Sequence, residues 1–298
     1  MGDSLESLQR RKQSAAELGS VVRTMKAMAA SNISQYEMAV QSLQDYYRTA
    51  SLGLSAYVQS KKLPGMFFKQ LEKRKSLSVA VVFGSDQGLV GRFNDVLTDF
   101  AGQQLRNLTQ AIETWAVGER AFGRLTDAGF SPARLFNLPN SVAAITPLVE
   151  DILIKSEEYR ERNQVYSLYL FHNSPVGRDG YQQQSQRLFP LDEKWEQEIS
   201  KLKWPSQNLP QVIGQGEHIL HAFVREYLFV SIYKACAESL ASENASRLEA
   251  MERAAKNIDD ILDDLKQGYI RLRQTIIDEE LFDVVAGFEA LKGNKDFN

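Results

Sequence analysis

The residues best suited to chemistry form a glycine-rich turn at 84–91, with the sequence Gly-Ser-Asp-Gln-Gly-Leu-Val-Gly. The turn follows a valine-rich run and precedes a helix-like stretch near Arg92, so its backbone N–H groups could cradle a phosphate at a helix N-terminus. It lacks the Lys-Ser/Thr pair of a P-loop and fits the dinucleotide fingerprint poorly. A phosphate-binding α/β enzyme is therefore kept as an alternative function.

The histidines and aspartates add little chemistry. His218 and His221 lie three residues apart and could share a metal ion, but only one other histidine exists, and we interpret the pair as surface or core residues. Four aspartates at positions 259, 260, 263 and 264 predict a solvated acidic helix face. No nucleophile has a recognisable base and orienting group. We predict no catalytic residue, cofactor site or metal site in this chain.

Composition excludes several classes of protein. The formal net charge of −3 and the pI near 5.8 give no basic field for nucleic acid. Cys236 is the one cysteine, so no intrachain disulfide can form and a reducing cytoplasm fits best. No run approaches the roughly 18 apolar residues that span a bilayer, and the first residues lack the apolar region of a secretory signal. We expect any membrane contact to be made through a partner.

All eight prolines lie between residues 64 and 210, so both ends of the chain can form long helices. Apolar residues alternate at spacings of three and four near both ends, which predicts coiled-coil seams. The C-terminal seam comprises Leu248, Met251, Ala255, Ile258, Leu262, Leu265, Tyr269, Leu272 and Ile276. The N-terminal seam comprises Ile33, Tyr36, Val40, Leu43, Tyr47, Ala50, Leu54 and Tyr57, preceded by a stutter through Leu18, Val22, Met25 and Ala29. Each seam alone would suit a core helix of an ordinary bundle, but two in one chain favour pairing with each other.

The middle of the chain alternates between short apolar runs and helical patterns. Strands are predicted at 78–83, 111–117, 134–138 and 164–172, with helices at 119–128 and 147–162, an edge strand at 181–189 and a closing helix at 195–204. The predicted fold class is α+β: an antiparallel coiled coil of long N- and C-terminal helices plus a small, mostly parallel, Rossmann-like α/β domain. We assign residues 1–63 and 211–298 to the two-helix coiled-coil rod, which would be on the order of 110 Å long, and residues 76–205 to the α/β domain.

Three stretches carry a resemblance to a known family. Residues 24–32 keep Met25 and an Ala-Ala-Ser core, and residues 85–94 match a Ser-Asp-x-Gly-Leu-Cys-Gly-x-x-Asn turn except that Val90 replaces the cysteine. The C-terminal helix matches over 242–248 and again at Met251, Ala254, Ala255, Asn257, Tyr269, Arg273, Gln274, Glu280, Leu281 and Gly287. In these stretches the chain resembles the γ subunit of the F-type ATP synthases.

The resemblance implies a non-catalytic central-stalk rotor. In that family the terminal helices form an antiparallel coiled coil inside a hexamer of α and β subunits, and the α/β domain touches the ε subunit and the membrane ring of c subunits. Rotation driven by H+ or Na+ then changes the conformation of the catalytic β subunits. The implied location is the cytoplasmic face of a bacterial plasma membrane. The implied hexamer contacts are Met25, Arg247, Arg273, Gln274, Glu280 and Asp283.

Two departures from the family pattern separate this chain from ordinary members. Asp278 and Glu279 stand where the family usually has Thr-Gln, and Val90 replaces the cysteine. They suggest a divergent branch, such as the bacterial N-ATPases. A coiled-coil adaptor or tether with an α/β head stays open as a second alternative function, because it would use the same seams.

Overall fold

The two terminal helices are the longest elements of the computed structural model, which describes residues 4–61, 77–108, 111–163, 166–177, 180–189, 199, 201–206, 208 and 216–293. Helix α1 spans Leu5–Lys61, and the C-terminal helix, here α5, spans Gly216–Gly293. Both lie in the proline-free ends of the sequence, where no pyrrolidine ring interrupts the helical hydrogen bonds. The two predicted long helices are confirmed.

The middle of the chain forms one five-stranded sheet with the order β3-β2-β1-β4-β5. Its elements are β1 (Leu77–Phe83), α2 (Phe93–Arg106), β2 (Ile112–Val117), α3 (Glu119–Asp127), β3 (Arg134–Phe136), a 3-10 turn (Val142–Ala144), α4 (Ile145–Asn163), β4 (Tyr166–Val176) and β5 (Gly180–Phe189). Strands β1 to β4 pair in parallel, and β5 pairs antiparallel with β4 at the edge. The mostly parallel sheet with an edge strand is confirmed. Since β2 and β4 lie on opposite sides of β1, the strand order reverses between β1 and β4.

Two hydrophobic clusters cover the two faces of the sheet, because successive side chains of a strand point to opposite faces. On one face, Val79, Val81 and Phe83 of β1 pack with apolar residues of α4, of α5 and of the second half of α1. On the other face, Ala80 and Val82 pack with α2 and α3. All five β1 side chains are fully buried. Helix α5 therefore forms part of the core of the α/β domain.

The chain divides into two compact units, one made of Met1–Met28 with Glu249–Asn298 and the other of Ala29–Leu248. Within each unit, α1 and α5 run antiparallel. In the first unit Lys26 Nζ lies 2.9 Å from Glu252 Oε1, and Arg23 Nη1 lies 3.9 Å from Asp259 Oδ1. In the second unit the Tyr46 hydroxyl donates to Glu226 at 2.6 Å. Every residue of the two main predicted seams is buried or half-buried, in agreement with helix pairing.

Two local predictions were wrong or fall outside the described residues. Leu18, placed in the N-terminal stutter, is 59% exposed, whereas the neighbouring Gly19 faces Ile258. Glycine lets the two backbones approach closely at this point, so the leucine is turned outwards. The closing helix predicted at 195–204 lies largely outside the described residues. Of its described residues, Ile199 is helical and 201–204 are not.

Candidate functional site

The glycine-rich turn after β1 is held by internal hydrogen bonds. The Ser85 backbone N–H donates to Asn94 Oδ1 at 3.0 Å, and Asn94 Nδ2 donates to Ser85 Oγ at 2.8 Å. The Glu119 N–H, at the start of α3, donates to Asp86 Oδ1 at 3.0 Å. The Asp86 carboxylate of the turn thus caps the N-terminus of α3, which places a negative charge in the turn itself.

Gly84 of this turn and Gly118, which precedes α3, have a packing role. A Cβ on Gly84 would lie 2.4 Å from Ala121 Cβ and 2.7 Å from Asn94 Oδ1. Gly118 has φ +97°, and a Cβ there would lie 2.7 Å from the Ser85 carbonyl. Both glycines are needed for α3 to approach the end of β1, so packing accounts for Gly84, the first glycine of the pattern that suggested phosphate binding.

A groove of about 470 Å³ lies beside the turn, between α2 and α3. Its charged lining residues are Asp95, Glu119, Arg120, Arg124 and Asp127. Arg124 Nε is already bonded to Asp95 Oδ1 at 2.7 Å. The groove therefore carries three carboxylates and two guanidinium groups, which does not match a polyanionic ligand.

The carboxyl ends of β1 and β4, where the strand order reverses, are the usual ligand crevice of such a sheet. Three hydroxyls of α5 reach this end of the sheet. Ser239 Oγ donates to the Phe83 carbonyl at 2.8 Å, Ser242 Oγ to the Asn173 carbonyl at 3.2 Å, and Ser246 Oγ to the Val90 carbonyl at 2.6 Å. All three serines are buried. We call them the serine face of α5. They bring this helix to the place where an enzyme of this fold would bind its substrate.

Arg247, one of the residues that the resemblance implies as a hexamer contact, is bonded inside the chain. Its Nη2 donates to Glu243 Oε1 at 2.6 Å, and the two side chains are only 13% and 4% exposed. Burial raises the pKa of Glu243 to about 7, although the neighbouring Arg247 acts to lower it. Glu243 Oε2 and Arg247 Nε are buried and have no hydrogen-bond partner among the described residues. Sequence reasoning identified Arg247 but missed Glu243 as its partner.

A second polar pair joins β4 to α5 and was also missed. His172 Nε2 lies 2.9 Å from Glu238 Oε2, and His172 is buried. Burial acts to raise the pKa of Glu238, but His172, Lys234 and Ser174 outweigh it, so the pKa is lowered. Glu238 and Glu243 are the two acidic residues within 227–248, and this isolation was the signal available in the sequence.

The other five implied contact residues lie in the unit formed by the two chain ends. Met25 is half-buried, whereas Arg273, Gln274, Glu280 and Asp283 are all exposed. Arg247 belongs to the other unit. Exposure leaves the four α5 side chains free to meet a partner, but the structure brings them into no shared cluster.

The same part of α5 carries an exposed apolar segment. Leu281, Phe282, Val284 and Val285 are 61%, 74%, 69% and 47% exposed. Contiguous exposed apolar side chains mark a binding surface or an aggregation liability. We call these four residues the apolar segment of α5.

The remaining candidates have no chemical arrangement in the part of the chain that the structure describes. His218 and His221 are exposed, and no three His, Cys, Asp or Glu side chains of the described ranges are placed to hold a metal ion. Cys236 is fully buried, and burial raises the pKa of its thiol. None of the helices searched, over these same residues, is both long and apolar enough to cross a membrane.

These observations define a class of protein. The carboxyl ends of the sheet, where α/β enzymes bind substrate, are bonded to the chain's own long helix, and the exposed apolar segment on that helix marks a binding surface. These features fit a subunit of a larger assembly.

Comparison with known proteins identifies the family. The ATP synthase family profile matches residues 4–291. The ATP synthase gamma chain of Clostridium acetobutylicum is 24% identical over 294 residues, covering 98% of this chain and 99% of that protein. The gamma chain of Geobacter metallireducens is 26% identical over 295 residues, covering 97% and 99%, and that of Clostridium perfringens is 30% identical over 219 residues, covering 71% and 72%. The chain belongs to the ATP synthase gamma family, and it is a non-catalytic subunit.

Solved structures share the fold. A chain of the Euglena gracilis mitochondrial ATP synthase, in a structure of OSCP, F1 and the c-ring, superposes with a TM-score of 0.69 at 16% identity, covering 99% of this chain and 96% of that one. A chain of the Tetrahymena thermophila mitochondrial central stalk and c-ring superposes with a TM-score of 0.55 at 22% identity, covering 78% and 99%.

Proposed function

We propose that this chain is the central-stalk rotor subunit of an F-type ATP synthase or ATPase. In this role it couples ion-driven rotation of the membrane ring to conformational change in the catalytic β subunits. Family membership over almost the whole length supports the role, as do structural neighbours described as a rotor and a central stalk. The partners are the α and β subunits of the hexamer, the ε subunit and the ring of c subunits.

The observation that carries the proposal is the apolar segment of α5. A side chain such as Phe282, 74% exposed, costs free energy in water, at about 25 cal/mol for each Å² of apolar surface. A partner that encloses the segment removes this cost. The hexamer supplies such an enclosure in the proposed role.

A rotor changes the catalytic subunits only if its contacts differ between their conformations. We propose that Arg273, Gln274, Glu280 and Asp283 make these contacts with β subunits, together with Met25 on α1. Their exposure in the chain supports this assignment. The neighbouring Asp278 and Glu279 make the surface acidic, so the facing β-subunit loop should carry a compensating basic group.

We further propose that the complex lies on the cytoplasmic face of a bacterial plasma membrane and moves H+ or Na+. The bacterial relatives support this location. The division into a coiled-coil rod of 1–63 and 211–298 with a head of 76–205 and the placement in a divergent N-ATPase-like branch stay predictions.

Affinity purification of the tagged full chain from its native host tests the function. We expect α-like and β-like ATPase subunits in the eluate. Val284→Asp, which charges the apolar segment, should abolish their recovery, whereas Ile154→Asp, at a 46% exposed apolar residue of α4, should not. Recovery of the wild-type chain without ATPase subunits would support the adaptor and contradict the rotor.

A further inference from the structure

The serine face of α5 joins the long helix to three separate parts of the α/β domain. Phe83 ends β1, Val90 lies in the turn that follows, and Asn173 lies in β4. The three serines are spaced by three and four residues, so they occupy one side of the helix. One helix face is thus hydrogen-bonded to two strands and the turn between β1 and α2.

The three acceptor carbonyls are themselves held in place. The turn containing Val90 is closed by the two bonds between Ser85 and Asn94. Asn173 Nδ2 donates to the Phe93 carbonyl at 3.2 Å, and Gln183 Nε2 donates to Asn173 Oδ1 at 3.3 Å. The serine face therefore bonds to a network that spans β1, α2, β4 and β5.

Apolar packing alone resists rotation of a helix weakly, because the hydrophobic effect is non-directional. Hydrogen bonds weaken steeply when their angle departs from linear. Bonds to three fixed carbonyls thus oppose both rotation and sliding of α5 against the sheet. Since α5 continues to Gly293, a turning force on the α/β domain enters the helix here as well as through its apolar contacts and the His172–Glu238 pair.

We propose that Ser239, Ser242 and Ser246 are the positioning residues that transmit torque between the α/β domain and α5. This inference rests on the proposed rotor function and names the contact between α5 and the sheet through which torque passes. In a parallel α/β enzyme the same end of the sheet binds a ligand. In this chain the same end of the sheet holds the long helix α5.

A fourth buried serine of α5 provides the matched control. Ser231 is 2% exposed, and its hydroxyl has no hydrogen-bond partner among the described residues. Ser231→Ala therefore removes a buried hydroxyl from the same helix without removing a bond to the sheet.

The test compares two rates in inverted membrane vesicles that carry the complete complex: ATP hydrolysis, and ATP-driven ion uptake followed with pH and sodium probes. For the triple variant Ser239→Ala, Ser242→Ala and Ser246→Ala we expect hydrolysis within about twofold of wild type and at least a threefold loss of ions moved per ATP. Ser231→Ala should leave both rates unchanged. A merely structural role would instead lower hydrolysis, uptake and subunit recovery together.

An unchanged number of ions per ATP in the triple variant would overturn the inference. If the triple variant does not assemble, Ser242→Ala and Ser246→Ala are measured singly, and an unchanged ratio in both overturns it equally. Failure of the proposed function is distinguishable, because the wild-type chain would then be absent from the ATPase complex in these vesicles.

Discussion

Gly84→Ala separates the two explanations of the glycine-rich turn. If the turn serves packing, the added methyl must displace both Ala121 of α3, whose Cβ would lie 2.4 Å away, and the Asn94 side chain, whose Oδ1 would lie 2.7 Å away. Overpacking of this kind costs about 1–3 kcal/mol. Movement of Asn94 also breaks its bond with the Ser85 N–H, which costs a further ~0.5–1.5 kcal/mol.

The expected loss in the free energy of unfolding is therefore about 1.5–4.5 kcal/mol. It is measured as the shift of the urea midpoint of the purified full chain, followed by far-UV circular dichroism. Gly123→Ala on α3 is the matched control, because nothing lies within 4 Å of the added Cβ. Alanine favours the helix, so this control should gain about 1 kcal/mol.

A Gly84→Ala midpoint equal to that of wild type would refute the packing explanation. In that case calorimetric titration of the wild-type chain with ATP should show binding that the variant lacks, and the phosphate-binding alternative would regain support. With packing as the cause, we expect no binding heat from either protein.

Three further predictions concern the long helix. Because burial raises the folded-state pKa of Glu243 from 4.5 to about 7, the folded chain keeps a proton that the unfolded chain loses in this range. The contribution of Glu243 to stability is thus fully present below pH 4.5 and is lost as the pH rises to 7. Between these pH values the wild-type free energy of unfolding should fall by about 3 kcal/mol relative to that of Glu243→Gln. Parallel pH profiles of the two proteins would contradict this. Gly268→Ala, where an added Cβ meets no atom within 4 Å, should raise the free energy of unfolding in urea by about 1 kcal/mol, because alanine favours the helix. A lower free energy of unfolding would show that the fold requires glycine at this position. The double variant Arg273→Ala and Glu280→Ala should have the melting temperature of the wild type but lower ATP hydrolysis by the complex roughly tenfold, which corresponds to a loss of about 1.4 kcal/mol in transition-state stabilisation. Lys256→Ala, at an exposed residue of the same helix, is the control. Equal rates of hydrolysis in the two variants would exclude the proposed contact.

The fold was largely predictable because its strongest signals are local. Absence of proline and the spacing of apolar residues at three and four predicted α1 and α5 closely, and the valine-rich run at 78–83 predicted β1. The error at Leu18 shows where this reasoning ends. Spacing identifies a helix face only to within one residue, and the close approach at Gly19 depends on the partner helix.

The candidate site was less predictable, because its partners are distant in sequence. Ser239 and Ser246 each bond to a carbonyl 156 residues away, and Ser242 to one 69 residues away. No sequence pattern distinguishes a helical serine that makes such a bond from one such as Ser231, whose hydroxyl has no partner within the described ranges. The family resemblance identified Arg247 as a candidate contact residue, but it did not predict that Arg247 is buried beside Glu243.

The sequence by itself determined that long helices form at both ends, that a parallel sheet lies between them, and that no recognisable catalytic set is present. These properties follow from interactions among residues a few positions apart. Tertiary structure alone decided that Gly84 of the glycine-rich turn packs against α3, that α5 is bonded to the carboxyl ends of β1 and β4, and that Arg247 is bonded inside the chain. Each of these depends on which groups come into contact after the chain has folded. Hydrogen bonds act only over about 3 Å, so the spacing of residues along the sequence does not indicate which distant groups they will join.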